Sequence, residues 1–179
     1  MIPTSIIEYL QRNAVPFKRR THAQAVSAHD LAASLHVSGY RVAKSVIVDA
    51  DGQKWIAVLP AAETVDLPRL ANLLKANTVQ LVEETKFAPL FAGCETGAEP
   101  PFGGLYGIPV VVDSKLADKT PIVLRAGSHQ ESLEIAYADF VSLEKPRVGS
   151  FGIIPGWTPA NRDAAIDEAL AAEELGCLN

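Results

Sequence analysis

The sequence predicts an α+β domain built on a curved, mixed β-sheet, and three observations carry that expectation. Residues 42–49 alternate, with Val42, Lys44, Val46 and Val48 on one side and Ala43, Ser45, Ile47 and Asp49 on the other. That is the period of a half-buried strand. Asp51-Gly52 then marks a tight hairpin returning the chain through Trp55, Ala57 and Leu59, and Pro60 stops the second strand. Strand-like runs at 108–113 and 121–125 follow only after segments of helical spacing, so hairpins and helices interleave around one sheet. With 179 residues, 48% of them hydrophobic and 21% charged, the chain has the length and balance of one globular domain with its own core.

Each element has a local reason. Residues 5–13 read as a helix with Ser5 and Glu8 as a capping box and Ile6, Ile7 and Leu10 as an apolar stripe. Val15-Pro16-Phe17 breaks it and begins an extended piece through Arg20. Ser27 with Asp30 opens a second helix over 28–36, closed by Gly39. Asp66 caps a third over 67–76, bearing Leu67, Leu70, Leu73 and Leu74. A short strand over 79–82 precedes a helix over 83–92 whose register Pro89 disturbs. Leu133-Glu134-Ile135 alternates as a strand, and Tyr137 to Leu143 forms a short helix. Residues 146–158 are rich in Pro and Gly and read as a linker. Thr158-Pro159 starts a last helix to about Leu175, packed on the body or on a second copy of the chain. The division expected is a domain over 1–150 and a linker with accessory helix over 151–179, with a homodimer left open.

Composition excludes several classes of function. A formal charge of −5 argues against sequence-independent DNA binding, which needs a strongly basic surface. No run approaches the roughly 18 apolar residues of a membrane span. The start MIPTSIIEYLQRN lacks the basic region and cleavage site of a signal peptide, so the expected location is cytoplasmic. Cys94 and Cys177 are the only cysteines. They and the four histidines, His22, His29, His36 and His129, form no metal-binding spacing, and neither a metal nor a cofactor is expected.

Three features remain that could carry chemistry. Gly93 to Gly104 packs four glycines and the pair Pro100-Pro101 into twelve positions. Such a loop is stiff and exposes bare peptide groups to a ligand. Ala126-Gly127-Ser128-His129 is a second glycine turn. Lys44 is an ammonium set among valines, which either snorkels to the rim or faces an anion in a cleft. If Lys44, its neighbour Ser45 and the two turns converge, a cation and main-chain donors make a site for an ester beside a phosphate or ribose. His22 and His129 are the candidate general bases. No GxSxG elbow or serine–histidine–aspartate spacing is present.

These residues, in this order, resemble the YbaK/prolyl-tRNA synthetase-associated editing domain, a family of free-standing aminoacyl-tRNA deacylases. The similarity covers residues 5–150. It rests on Ser27-Ala28-His29-Asp30-Leu31-Ala32, Val42-Ala43-Lys44-Ser45-Val46, the Asp51-Gly52 hairpin, Val58-Leu59-Pro60 before Val65-Asp66-Leu67, the loop ending Pro101-Phe102-Gly103, and Ala126-Gly127-Ser128-His129 before Ile135. The resemblance implies a barrel-like curved sheet flanked by helices, with a pocket for the aminoacylated 3′ end of tRNA. The family's lysine falls on Lys44, where it would hold the terminal nucleotide or ester. Its GxxxP loop falls on Gly97 and Pro101, whose peptide groups would position the acyl ester, and its second turn falls on Gly127 and Ser128. Hydrolysis in several members is thought to use a hydroxyl of the terminal ribose, so no protein nucleophile is required. Ser132 stands where some members carry an acid, and His129 stands near a histidine of alanine-specific members.

The expected function is deacylation of a mischarged aminoacyl-tRNA with water as acyl acceptor. Lys44, Gly97 and Gly127 are the candidate catalytic residues, and Ser45, Pro101, Phe102, Ser128, His129 and His22 the candidate substrate contacts. The alternative is a module that binds an aminoacyl end, a nucleotide or a synthetase without turnover.

Overall fold

The structure is a computed structural model that describes residues 1–156. It opens with α1 (Thr4–Arg12), whose N-cap is Pro3 with no side-chain cap. The Ser5–Glu8 capping box is therefore not formed, and α1 is held by burial of Ile6, Ile7 and Leu10. After β1 (Lys18–Thr21), α2 (Ala28–Ser34) begins with the expected reciprocal box between Ser27 and Asp30. β2 (Val42–Ala50) and β3 (Gln53–Pro60) follow, joined at Asp51 and Gly52 with φ of 49° and 87°. Both values are positive, as this hairpin turn requires. A two-residue strand, β4 (Thr64–Val65), leads to α3 (Leu67–Leu74), capped by Asp66 and ended by Lys75 in the left-handed region.

β5 (Val79–Leu81) precedes α4 (Glu84–Phe87), after which Ala88–Leu90 tightens into a 3₁₀ turn. The helix expected over 83–92 is split at Pro89, which has no N–H to give an α-helical ladder. The glycine–proline loop that begins at Gly93 ends in a short helix, α5 (Gly103–Tyr106). Then come β6 (Val110–Asp113), β7 (Ile122–Arg125), β8 (Glu131–Ile135) and α6 (Tyr137–Glu144). The segment read as a linker over 146–158 instead contributes β9 (Arg147–Gly149) and β10 (Gly152–Ile153). The accessory helix expected from Thr158 to Leu175 lies outside the described residues.

The main sheet has the order β1-β8-β7-β2-β3-β6-β9, with β5 also paired to β2. β2–β7, β3–β6 and β6–β9 are parallel pairs and the remainder are antiparallel. β1 and β9 end the path, so the sheet is open where a barrel-like closure was the expectation. Its mixed character follows from helices crossing between β3 and β6 and again after β8.

Period two divides the sheet into two faces. Ala43, Ile47, Ile56, Val58, Val110, Val112, Ile122, Leu124, Leu133 and Ile135 pack with α1, Phe91, Phe102 and Phe140 in the main core. On the opposite face the cover is in two pieces. Val48, Ala57, Leu59 and Val111 lie under Leu70 and Leu74 of α3 and under Phe151. Val42 and Val123 lie under Leu31, Ala32 and Leu35 of α2. Lys44 falls between the two pieces.

Asp113 explains why a Pro- and Gly-rich segment is ordered. Its fully buried carboxyl accepts Phe151 N–H at 2.8 Å, Gly152 N–H at 2.6 Å and Lys115 N–H at 2.9 Å. Phe151 is itself fully buried, so one side chain anchors the turn between β9 and β10. Leaving buried donors unpaired costs about 1–3 kcal/mol each. Asp113→Ala is expected to lower unfolding stability by at least about 2 kcal/mol and to speed amide exchange at Phe151 and Gly152. Unchanged exchange at both amides would contradict this anchoring role.

Candidate functional site

The edge of β2 that faces β7 is interrupted. Arg41 C=O accepts Val123 N–H at 2.8 Å, and the β2–β7 register ends after Ala43↔Leu124. Further along the same edge, Ile47 C=O accepts Val82 N–H at 3.0 Å and β5 pairs with Val48 to Ala50. Main-chain groups alternate along a strand: Val42 C=O turns toward β3, where it accepts Ala61 N–H at 2.8 Å, while odd-numbered residues turn outward. Ser45 is the odd-numbered residue with neither β7 nor β5 beside it. Its N–H and C=O face a notch in the sheet and make no hydrogen bond among the described residues. An unpaired main-chain donor on a partly enclosed edge invites a polar partner.

The two glycine turns clasp each other. Gly127 N–H donates to Ala98 C=O at 2.8 Å, and Glu95 N–H donates to Gly127 C=O at 3.1 Å. His129 N–H donates to the Glu95 carboxylate at 2.9 Å. A Cβ placed on Gly97 would stand 3.7 Å from His129 Cε1 and 3.9 Å from Glu84 Oε1. Gly97 thus spans the gap between the end of β7 and the start of α4. Glycine is needed at 127, where φ is +80° and an added Cβ would lie 2.7 Å from Pro3 Cδ and 2.9 Å from Cys94 Sγ. The clasp occupies the groups that the sequence offered to substrate. Gly127 has both peptide groups paired, and Gly97 N–H donates to the buried Glu99 carboxylate at 3.0 Å.

Lys44 and Arg125 point to the same face of the sheet. Each is two residues beyond the cross-strand pair Val42↔Val123, so period two sends both in the same direction. Lys44 is partly buried and its ammonium donates to Ala61 C=O at 3.5 Å, with no hydrogen bond to either glycine turn. Burial pushes its pKa below the ordinary lysine value, opposed by the charge of Glu63. Glu63 is buried and ion-paired to Lys115 at 2.8 Å. Arg125 is 6% exposed and donates to Ala25 C=O at 2.9 Å and to His129 Nδ1 at 2.8 Å. Burial pulls its pKa down, and Glu99, Asp30 and Glu95 oppose that shift. Neither Arg125 nor Glu99 stands out in the sequence. Only their register beside Lys44 and inside the GxxxP stretch could have pointed to them.

The other candidate residues have different placements. The Ser45 side chain lies on the face opposite Lys44, with its hydroxyl buried and unpartnered. Pro101 is buried and Phe102 is wholly inside the main core, so the phenyl ring packs against protein. Ser128 is buried, and its hydroxyl accepts Gln130 N–H and the N-terminal ammonium, both at 3.2 Å. His22 Nδ1 lies 2.8 Å from Ala23 C=O and its Nε2 is buried without a partner. Cys94 lies 3.5 Å from the Tyr106 hydroxyl, and burial pushes its thiol up, which suits packing better than nucleophilic attack. A separate cleft of about 520 Å³ is lined by Ser38, Tyr40, Arg41, Lys115, Asp118 and Lys119.

The family model for the aminoacyl-tRNA editing domain matches residues 22–143. Crystal structures share the fold over most of the chain. One is hypothetical protein APE2540, at 19% identity over 83% of this chain and 99% of that one, with a TM-score of 0.75. Another is a candidate trans-editing enzyme for prolyl tRNA synthetase, at 13% identity over 86% and 99%, with a TM-score of 0.72. A third is a candidate signal transduction protein from Marinobacter aquaeolei VT8, at 18% identity over 86% of this chain but 31% of that one, with a TM-score of 0.68. At such identities the likeness shows the fold alone.

The burial of Lys44 has a measurable consequence. A folded-state pKa below the unfolded one means that the charged form is penalised in the fold. That penalty is full at neutral pH and fades as pH rises from the lowered value toward the ordinary lysine value of about 10.4. Lys44→Met is therefore expected to raise the melting temperature at pH 7, by a margin that shrinks toward pH 10 in parallel melts. A lower melting temperature at pH 7 would show that the ammonium stabilises the fold.

Proposed function

Because the chain belongs to the aminoacyl-tRNA editing domain family, we propose that the notch beside Lys44 is the seat of an ester-hydrolysing reaction on mischarged aminoacyl-tRNA. The observation that carries this reading is the unpaired main chain of Ser45, next in sequence to the half-buried cation Lys44. An acyl ester presents a carbonyl oxygen that gains charge as water attacks, and a preset N–H beside it lowers the barrier. Ser45 N–H is that donor, because the N–H groups of Gly97 and Gly127 are already used. Lys44 supplies the positive charge for the terminal nucleotide, and the two turns shape the rim. Its depressed affinity for a proton reflects the burial that an anionic substrate would offset.

The bonds balance without a protein nucleophile. Water oxygen adds to the acyl carbon, the ester C–O bond breaks, and the ribose oxygen leaves as a hydroxyl with a proton from the water. The neighbouring ribose hydroxyl is the group to relay that proton. Holding ester and water together contributes most of the acceleration. One observation favours the alternative of binding without turnover: both ring nitrogens of His129 are engaged by protein groups, so no histidine stands free as a base in the clasp.

Charged tRNAs presented one amino acid at a time separate these readings. The deacylase reading expects ester loss on a subset of them, reduced at least about tenfold by Lys44→Ala. Binding without ester loss on the whole panel would assign the module instead. Ser45 provides a sharper test. Its outward N–H is outside the ladder, where proline is tolerated, so Ser45→Pro is expected to fold and to lose about 10²–10³ in kcat. Ser45→Ala, altering only the hydroxyl on the opposite face, should cost far less. Equal losses for the two variants would remove Ser45 N–H from the reaction.

A further inference from the structure

Arg125 is a buried guanidinium that forms no ion pair within 4 Å among the described residues, while Glu99, Asp30 and Glu95 act on it only through their charge. Its two hydrogen bonds go to acceptors that belong to different parts of the chain. One is Ala25 C=O, in the lead-in to α2, and the other is Nδ1 of His129, in the second glycine turn. Nδ1 and Ala25 C=O are 3.1 Å apart. An Nδ1–H could donate across that contact, but it would then oppose the Arg125 donor 2.8 Å away, which can only donate.

This arrangement decides the tautomer of His129. A guanidinium can only donate, so Nδ1 is the accepting nitrogen. The ring proton is therefore on Nε2, which donates to Thr96 C=O at 3.0 Å. Thr96 precedes Gly97 in the first glycine loop. A continuous chain of hydrogen bonds thus runs from Ala25 C=O through Arg125 and His129 to Thr96 C=O, and it joins the segment before α2, the end of β7 and both turns.

We propose that Arg125 is a positioning residue: through His129, held as an Nε2–H donor, it fixes the first glycine loop over the notch at Ser45, and His129 acts as a strut rather than as a general base. The kinetic part of this inference rests on the deacylase reading, whereas the structural part does not. Arg125 touches no reacting atom. Its effect passes through the 2.8 Å and 3.0 Å bonds on either side of the imidazole. The carboxylates that face this chain are Glu95, which accepts His129 N–H, Glu99, which accepts Gly97 N–H, and Asp30, which accepts Ser27 N–H. All three tie to main chain and leave the ring to Arg125.

Three variants of the full chain test this: Arg125→Met, Arg125→Lys and His129→Gln. Nitrogen-15 spectra of the imidazole should show one Nε2–H tautomer in the parent protein. In Arg125→Met that tautomer loses its dominance and the Gly97 amide signal moves, while Arg125→Lys, which keeps one donor, is intermediate. A ring spectrum in Arg125→Met identical to the parent's would overturn the proposal, whether or not the protein hydrolyses any ester.

With a tRNA that the parent deacylates, Arg125→Met should lower kcat about ten- to a hundredfold with KM within about twofold, as for a small misplacement of the catalytic frame. Glutamine can accept from Arg125 through its oxygen and donate to Thr96 through its nitrogen, so His129→Gln should cost less than about tenfold. Loss of a true general base costs about 10²–10⁴, and a loss of that size in His129→Gln would overturn the strut. Should Arg125→Met not fold, Arg125→Lys and His129→Gln still decide the matter. Failure of the parent to deacylate any tRNA would count against the deacylase reading, while the ring spectra would still judge the positioning role.

Discussion

The pairing of β2 is the constraint on which the rest of this structure depends. One strand cannot be bonded along one edge to two partners that approach from opposite ends without leaving a gap between them. β7 takes the edge up to Ala43 and the β5 segment takes it from Ile47 onward. What remains is a single residue, Ser45, with its main chain exposed to whatever enters. A sheet normally satisfies such groups with another strand. The two glycine turns, for their part, have their own donors engaged within the clasp. The fold thus leaves unsatisfied hydrogen-bonding capacity in the interior of the sheet, away from its edge strands β1 and β9.

The electrostatics follow from the same gap. Because α2 and α3 cover different ends of one face, Lys44 lies between two apolar patches and is only partly solvated. Burial disfavours its charge and Glu63 restores part of it. Arg125 repeats the pattern one strand away, with burial again the dominant influence and three carboxylates opposing it. Two cations placed where their charge is costly make a face that gains from an incoming anion. The protein carries a formal charge of −5, so this attraction is local. Such a site fits one end of a nucleic acid better than its backbone at large.

Much of this was legible in the sequence wherever the cause is local. The alternation over 42–49, the Asp51-Gly52 turn and the caps at Ser27 and Asp66 all rest on neighbours within a few residues, and each takes the form its chemistry dictates. Lys44 was readable as a charge on an apolar face for the same reason. The segment after residue 146 was not readable, because its order comes from Asp113, 38 and 39 positions before the amides it binds. The notch at Ser45 was equally hidden, since it depends on which strands pair and where each stops. Ser45 was singled out for a hydroxyl beside Lys44. Period two turns that hydroxyl to the other face, and its peptide group is what reaches the site. Arg125 read as an ordinary strand end until topology set it on the same face as Lys44.

The most direct test is the binding of a non-hydrolysable mimic of the substrate's end, a 3′-aminoacylamino-3′-deoxyadenosine, followed by backbone amide spectra of the labelled protein. The central claim is that the unpaired edge of β2 receives the acyl group, so the Ser45 amide should shift most, with smaller shifts at Gly97 and Gly127. Shifts confined to the cleft of Tyr40, Arg41 and Lys119, with Ser45 unmoved, would contradict it.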